Sequence, residues 1–444
     1  VVALAGPWGA AGAQTIEEAL ALAYQSNPTL NADRARLRAT DENVPQALSN
    51  WRPTLEINGA YGTEYSHNMG NTTTPRSINR DPRSGTLSAT QNLYRGGRTL
   101  AATSQAENLV LADRARLSST EQSILQSAAA AYMNVVRDQA VVELNRNNER
   151  VIERQLEATR DRFRVGEVTR TDVAQAESRL SRATADRIAA EGALVQSRAN
   201  FRNVVGEFPR QLRPAPPAGG LPATEDEAIA IARSKNLGVI QADYTERAAR
   251  DQVDLVFGEL LPQLSLVGEL ADSFDSQVPD TETERAAARL NLRVPLYTSG
   301  SVESRIRQAK QTAAQRRDER NQAVRTATEQ ATRAWEALNT ARASRRAFAD
   351  VVRSAEIALD GVQQEALVGS RTVLDVLDAE QELVNARVNL VTSERDEVIA
   401  SYDLRVAIGS LSAEELNIKV ERYDPLRNYK RVRDRWRGWG IEGE

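Results

Sequence analysis

Apolar residues recur along this chain with two periods. From Thr54 onward, Leu55, Ile57, Gly59, Tyr61, Thr63 and Tyr65 alternate with Glu56, Asn58, Ala60, Gly62 and Glu64. Three later segments alternate in the same way. Leu87, Ala89 and Leu93 stand against Thr86, Ser88, Thr90 and Asn92. Leu264, Leu266 and Leu270 stand against Gln263, Ser265 and Glu269, and Ala286, Ala288, Leu290, Leu292, Val294 and Leu296 stand against Arg285, Arg289, Asn291 and Arg293. A period of two predicts strands with one apolar and one polar face, at about 53–66, 83–95, 262–275 and 284–297. Elsewhere the period is helical. A polar, Ala-rich run at 97–165 predicts one helix about 100 Å long at 1.5 Å per residue, with a counterpart at 298–367. Shorter helices are expected at 170–206 and 371–409. In the last of these, Val376/Leu377, Leu383/Val384 and Leu390/Val391 recur every seven residues, followed by Val398 and Leu404, which predicts a coiled-coil stripe facing a partner.

The chain repeats itself. TIEEALALAYQSNP aligns with TEDEAIAIARSKNL, and Pro53 with Pro262, at an offset of 209. Beyond the first strands the offset becomes 203, pairing Leu93-Tyr94 with Leu296-Tyr297, Gly166 with Gly369, Asp172 with Asp375 and Gly206 with Gly409. The organisation read from this is a first repeat at 14–206, a Pro-rich linker at 207–223, a second repeat at 224–411 and a C-terminal segment at 412–444. Each repeat runs helix, two strands, long helix, turn, helix. Asn27-Pro28 predicts a split in the opening helix, and Pro45 a second break. Residues 28–50 and 170–206 together nearly match the long helix. Two short helices can therefore stack end to end beside it, with the termini and linker collecting where they meet.

Composition narrows the chemistry. The 444 residues include no cysteine and a single histidine, His67, which removes thiol nucleophiles, zinc clusters and imidazole-dependent triads. No enzyme, cofactor or tight metal site is expected. A formal net charge of −4 gives no global field for nucleic acid. The stretch 1–13, ending in Ala11-Gly12-Ala13, reads as the remnant of a secretory signal. No run of about 18 apolar residues suggests a spanning helix. The strands do have the length of membrane-barrel strands, and their alternation is the lipid-out, water-in pattern. Four strands leave two open edges, and open edges in lipid leave backbone groups unpaired. If the strands meet lipid, several chains must share one barrel. Trp51, Tyr61, Tyr65, Tyr94, Phe274 and Tyr297 near the segment ends suit interfacial girdles.

The duplicated plan, the LYRGGR and LYTSG turns, and the pair VGEVTRTDVAQA (from Val165) and VGSRTVLDVLDAEQEL (from Val368) resemble the TolC family of outer-membrane export channels. The resemblance covers nearly all of the mature chain. It implies a fold that is mainly α with membrane β. Three chains would share a 12-stranded barrel in the outer membrane of a Gram-negative bacterium, above a long α-helical coiled-coil barrel in the periplasm. It further implies that Val165, Gly166, Glu167, Val368, Gly369 and Ser370 form tips that meet a periplasmic adaptor. Arg371 would bond Thr171 and Asp172 of the neighbouring chain to hold the tip closed. Ala366 stands where better-known members carry a latch tyrosine. Asp375 and Asp378, three apart on one helix face, would give the trimer a ring of six carboxylates that selects cations and binds multivalent ones. Only the second repeat carries the pair, because Gln175 stands opposite Asp378.

The resemblance implies an export duct fed by an inner-membrane transporter. The C-terminal helix and the YDP sequence with its basic, Trp-containing tail look more like members serving type I protein secretion by ABC transporters than like drug-efflux ducts. The other expectations are an efflux duct and a coiled-coil scaffold without a pore. Two features resemble nucleic-acid elements: Arg95-Gly96-Gly97 and the tail from Tyr429. The first is explained by a strand-to-helix turn, since Thr298-Ser299-Gly300 stands opposite it; the second is expected, in an exported protein, to pack on the belt around the middle or to stay mobile.

Overall fold

A computed structural model describes residues 14–67, 77–276, 278 and 280–441. The expected signal remnant and most of the loop after His67 lie outside the described residues. The first repeat comprises α1 (Ile16–Ser26), α2 (Pro28–Asp41), α3 (Asn43–Leu48), β1 (Thr54–Tyr61), β2 (Glu64–His67), β3 (Ser77–Arg80), β4 (Arg83–Arg95), α4 (Arg98–Arg164) and α5 (Arg170–Val205). The second comprises α6 (Glu225–Lys235), α7 (Leu237–Phe257), β5 (Gln263–Phe274), β6 (Glu282–Arg293), α8 (Ser301–Leu367) and α9 (Val373–Ala407). A last helix, α10, spans Pro425–Val432. The two long helices are each 67 residues. Among the described residues no helix is apolar enough to cross a membrane.

The chain forms two compact units, and each draws on both repeats. The first holds the described residues 14–35, 115–240 and 322–423; the second holds 36–114, 241–321 and 424–441.

In the first unit the duplication is visible at the level of single hydrogen bonds. The Asn27 side-chain amide donates to the Val204 carbonyl at 3.1 Å, and Asn236 donates to the Ala407 carbonyl at 3.0 Å. Each asparagine's Oδ1 also accepts N–H groups of the helix that follows: Thr29 at 2.9 Å in one repeat, Gly238 at 3.0 Å in the other. One residue type thus ends one helix, starts the next and fastens both to the end of a third. Gly206 and Gly409 close α5 and α9 with left-handed backbone. Along α5 the buried positions Ala176, Ala183, Ala190 and Ser197 recur every seven residues. Small side chains at that spacing let helix backbones approach closely, and Ala176 and Ala183 pack with Ile152, Leu156 and Leu377. The α9 stripe is buried at Val376, Leu377, Leu383, Val398 and Leu404, while Val384, Leu390 and Val391 stay half-exposed.

Gln14 and the linker meet on the middle of α4. Gln14 N–H donates to the Gln211 carbonyl at 2.7 Å, and the Tyr132 hydroxyl lies 2.8 Å from the carbonyls of both Gln14 and Arg213. Earlier along α4, the Glu121 carboxylate accepts from Ala413 N–H at 2.9 Å.

The second unit holds an antiparallel sheet in the order β1-β4-β5-β6. Its register aligns Ile57, Leu87, Leu270 and Ala286 in one row, and Leu55, Ala89, Gly268 and Ala288 in the next. The opposite face carries Glu56, Ser88, Glu269 and Ala287 in register, with Arg289 paired to Glu269 at 3.5 Å. The period-two pattern of each strand is therefore a property of the whole sheet.

Two boundaries differ from expectation. The first strand stops at Tyr61 and β2–β3 forms a separate ladder, because the next position of the register pairs Gly62 with Pro82, which accepts at 3.0 Å but has no N–H to donate. The last strand ends at Arg293 rather than near Tyr297, since Pro295 removes another donor. The turns into the long helices match: Gly96 and Gly97 have φ of 62° and 76°, Ser299 and Gly300 have 55° and 74°. A β-carbon on Gly96 would lie 2.3 Å from the Gly258 carbonyl oxygen, so this glycine serves a close backbone approach.

Candidate functional site

Both long helices end in the same device. Gly166 N–H bonds the Phe163 carbonyl and Glu167 N–H the Arg162 carbonyl, each at 3.0 Å; Gly369 bonds Ala366 at 3.1 Å and Ser370 bonds Glu365 at 3.0 Å. These paired bonds, with Gly166 at φ 82° and Gly369 at φ 79°, are Schellman caps. The valine ahead of each glycine is left in solvent, Val165 at 76% and Val368 at 81% exposure. Each turn thus offers a small apolar knob on a rigid bend.

The next helices start with capping boxes. Thr169 accepts from Asp172 N–H at 3.3 Å, while the Asp172 carboxylate accepts from the Thr169 N–H and hydroxyl, each at 2.8 Å. Thr372 and Asp375 repeat this at 2.9 and 2.8 Å. The aspartate shared by both repeats is therefore a helix-start residue. These bonds, led by the threonine backbone N–H, hold both carboxyls below the usual carboxylate range, and Arg371 adds to the effect at Asp375.

The second aspartate of the later repeat does something else. Asp378 pairs with Arg179 of α5, joining the two repeats. Arg371 is held within its own chain by Glu365, Nε to Oε2 at 2.7 Å, and this bond is the main reason its guanidinium is raised above its ordinary value. Among the described residues Arg371 makes no ion pair with Asp172 inside one chain, and Arg371, Thr171, Asp172, Asp375 and Asp378 are all at the helix starts beside the tips. Among the described residues no three or more His, Asp or Glu side chains come together as a possible metal cluster. A cavity of about 390 Å³ lies behind the tips, lined by residues including Ile152, Gln155, Arg162, Leu377 and Glu380. Burial pushes the Glu380 carboxyl up, against a 3.0 Å bond from Gln363.

Sequence reasoning passed over Thr169, Thr372, Arg179 and Glu365. The Thr-x-x-Asp spacing was a readable signal for the first two. Arg179 had none, because its partner lies 199 positions away.

The sheet is the second part of the site. Its apolar rows are exposed in the single chain, Leu55 at 75% and Ile57 at 80%. Among the described residues β1 and β6 each pair on one side only.

The model of the outer membrane efflux protein family matches residues 19–207 and 228–410. The chain belongs to that family. The outer membrane efflux protein BepC of Brucella suis is 37% identical over 432 residues, 97% of this chain and 92% of that protein. The proteases secretion protein PrtF of Dickeya chrysanthemi is 27% identical over 438 residues, covering 94% and 92% of the two chains. A membrane protein of Pseudomonas aeruginosa has a crystal structure that superposes with a TM-score of 0.81 at 16% identity, over 91% of this chain and 92% of that one, which shows a shared fold. The chain is thus an outer-membrane efflux channel with a helical periplasmic tunnel, and not an enzyme. The expectation of a scaffold without a pore is set aside by this membership. The open-edged, two-faced sheet is what one chain of such a channel must present.

Proposed function

We propose that three copies of this chain close a common barrel, edge β1 of one against edge β6 of the next, and that the duct so formed is the outer-membrane component of a type I protein secretion system. The observation that carries the first part is the sheet itself. Apolar rows exposed along one face, polar residues along the other and two unpaired edges are stable in a bilayer only after closure. In the trimer Arg371 leaves Glu365 and bonds Thr171 and Asp172 of the neighbour to close the tip. Asp375 and Asp378 then ring the entrance, and a periplasmic adaptor docks on the exposed Val-Gly turns to open it.

Type I secretion is supported by the near full-length likeness to a protease secretion protein and by the basic, Trp-containing tail. The likeness to BepC favours a second reading, a duct for a multidrug efflux pump. Deleting the chain from its host separates the two. Loss of specific proteins from the culture supernatant supports the first. Unchanged secretion with raised sensitivity to small toxic compounds supports the second.

A further inference from the structure

The C-terminal tail is built as a hook at the membrane end of the second unit. Helix α10 is anchored first. Asn428 donates to the buried Asp41 carboxylate at 2.8 Å, and the Tyr429 ring lies 4.9 Å beneath the Arg114 guanidinium. Beyond it, Arg435 bends back to bond the carbonyls of Arg437 at 3.2 Å and Gly440 at 2.8 Å. Gly438 makes the bend with φ 103°, where a β-carbon would lie 2.8 Å from Arg435. Arg52, two residues before β1, donates to the Arg435 carbonyl at 2.6 Å and lies 5.0 Å from the Trp436 ring centroid. The hook therefore closes on two of its own carbonyls and is pinned two residues ahead of β1.

What the hook presents is apolar and cationic. Trp436 is 70% exposed, Trp439 96% and Ile441 67%. Residues 435–441 carry two arginines, Arg435 and Arg437, and no acidic side chain. The register puts Tyr94 at this same end of the sheet, where Trp51 precedes β1 and Tyr297 follows β6 in the chain, all three exposed. Tryptophan beside arginine, continuous with an aromatic rim, is the chemistry of a bilayer–water interface with anionic headgroups.

We propose that residues Arg435–Ile441 form an interfacial anchor, with Trp436 and Trp439 seated among the anionic phospholipid headgroups of the leaflet at the helix end of the sheet. The anchor rests on the reading that the sheet lies in lipid. It would fix the depth of each chain and hold the start of β1, the strand that must find a partner on another copy.

The test uses the full-length protein in nanodiscs whose phospholipids carry brominated acyl chains, with or without phosphatidylglycerol. Tail fluorescence is the difference between the natural protein and a Trp436→Phe/Trp439→Phe variant. Ile57→Trp in that variant background reports separately on the sheet. Expected is bromolipid quenching of the tail signal at least about twofold stronger with phosphatidylglycerol than with phosphatidylcholine alone, as interfacial electrostatics require. Arg435→Gln/Arg437→Gln should remove that difference. Tail tryptophans quenched by aqueous acrylamide and not by bromolipid, while Ile57→Trp is quenched by lipid, would overturn the anchor alone. The same holds if the tail is shielded from both quenchers by a neighbouring copy. An Ile57→Trp signal unquenched by lipid would overturn the membrane sheet and the anchor with it.

Discussion

Asn27 and Asn236, 209 positions apart, make the same three-way junction, each donating to the end of a helix more than 170 residues away and capping the helix that follows. Neither bond set can be supplied by alanine. Asn27→Ala or Asn236→Ala should each cost about 1–2 kcal/mol. Thermal unfolding in detergent should show a lowered midpoint for either variant and a larger loss for the pair, whereas Asn→Asp should retain the cap and recover part of it.

The glycines divide by what surrounds them. A β-carbon at Gly166 meets nothing within 4 Å, so Gly166→Ala pays only for left-handed backbone, about 1 kcal/mol. At Gly409 it would lie 2.2 Å from the Lys235 carbonyl oxygen. Gly409→Ala should sharply reduce the yield of folded protein while Gly166→Ala does not. Equal expression and equal melting of both would contradict the packing described.

Arg179 pairs with Asp378, so in the proposed ring it would compete with a cation drawn to that carboxylate. Single-channel recording with trivalent cations should show block at severalfold lower concentration for Arg179→Gln and weaker block for Asp378→Asn. Block should vanish when Asp375→Ala and Asp378→Ala are combined. Unchanged block throughout would remove the acid ring from the permeation path.

Glu365 holds Arg371 inside one chain, so the proposed latch requires an exchange of partners. Arg371→Ser should raise the conductance of the isolated channel. Glu365→Gln should lower it or leave it closed for longer, because the arginine is then released to the neighbour. Movement of both variants in the same direction would contradict this exchange.

Much of this was legible in the sequence, and for identifiable reasons. The period-two runs mark the sheet because lipid or water on either face demands alternation, and helix α4 is read from an uninterrupted polar, Ala-rich run without Gly or Pro. The break at Gly62 was not legible, since it depends on Pro82 lying opposite in the register. The threonine partners of Asp172 and Asp375 explain why both repeats carry an aspartate there, and the Thr-x-x-Asp spacing makes this legible locally. The Arg179–Asp378 pair depends on how α5 packs beside α9, which no local pattern encodes.

The capped aspartates give the tips a pH dependence. Their carboxyls lie below the ordinary value in the folded chain, so their contribution is complete above about pH 4, where an unfolded aspartate is ionised. It is lost as pH falls through the depressed folded values. Protease cleavage at the Val-Gly turns, measured with an acid-active protease, should rise below about pH 4. Asp172→Asn with Asp375→Asn should raise cleavage at neutral pH and flatten the profile.

The shared barrel is open to the most direct measurement, because the chain has no native cysteine. Cysteines placed on the two free edges, Glu56→Cys on β1 with Arg285→Cys, Ala287→Cys or Arg289→Cys on β6, can be oxidised in native outer membranes. At least one pairing should drive the chain through a dimer to a covalent trimer as its final product, with either single variant stopping at monomer. Chains that remain monomeric in every pairing, or ladders that run past three without closing, would contradict a barrel made by three open sheets.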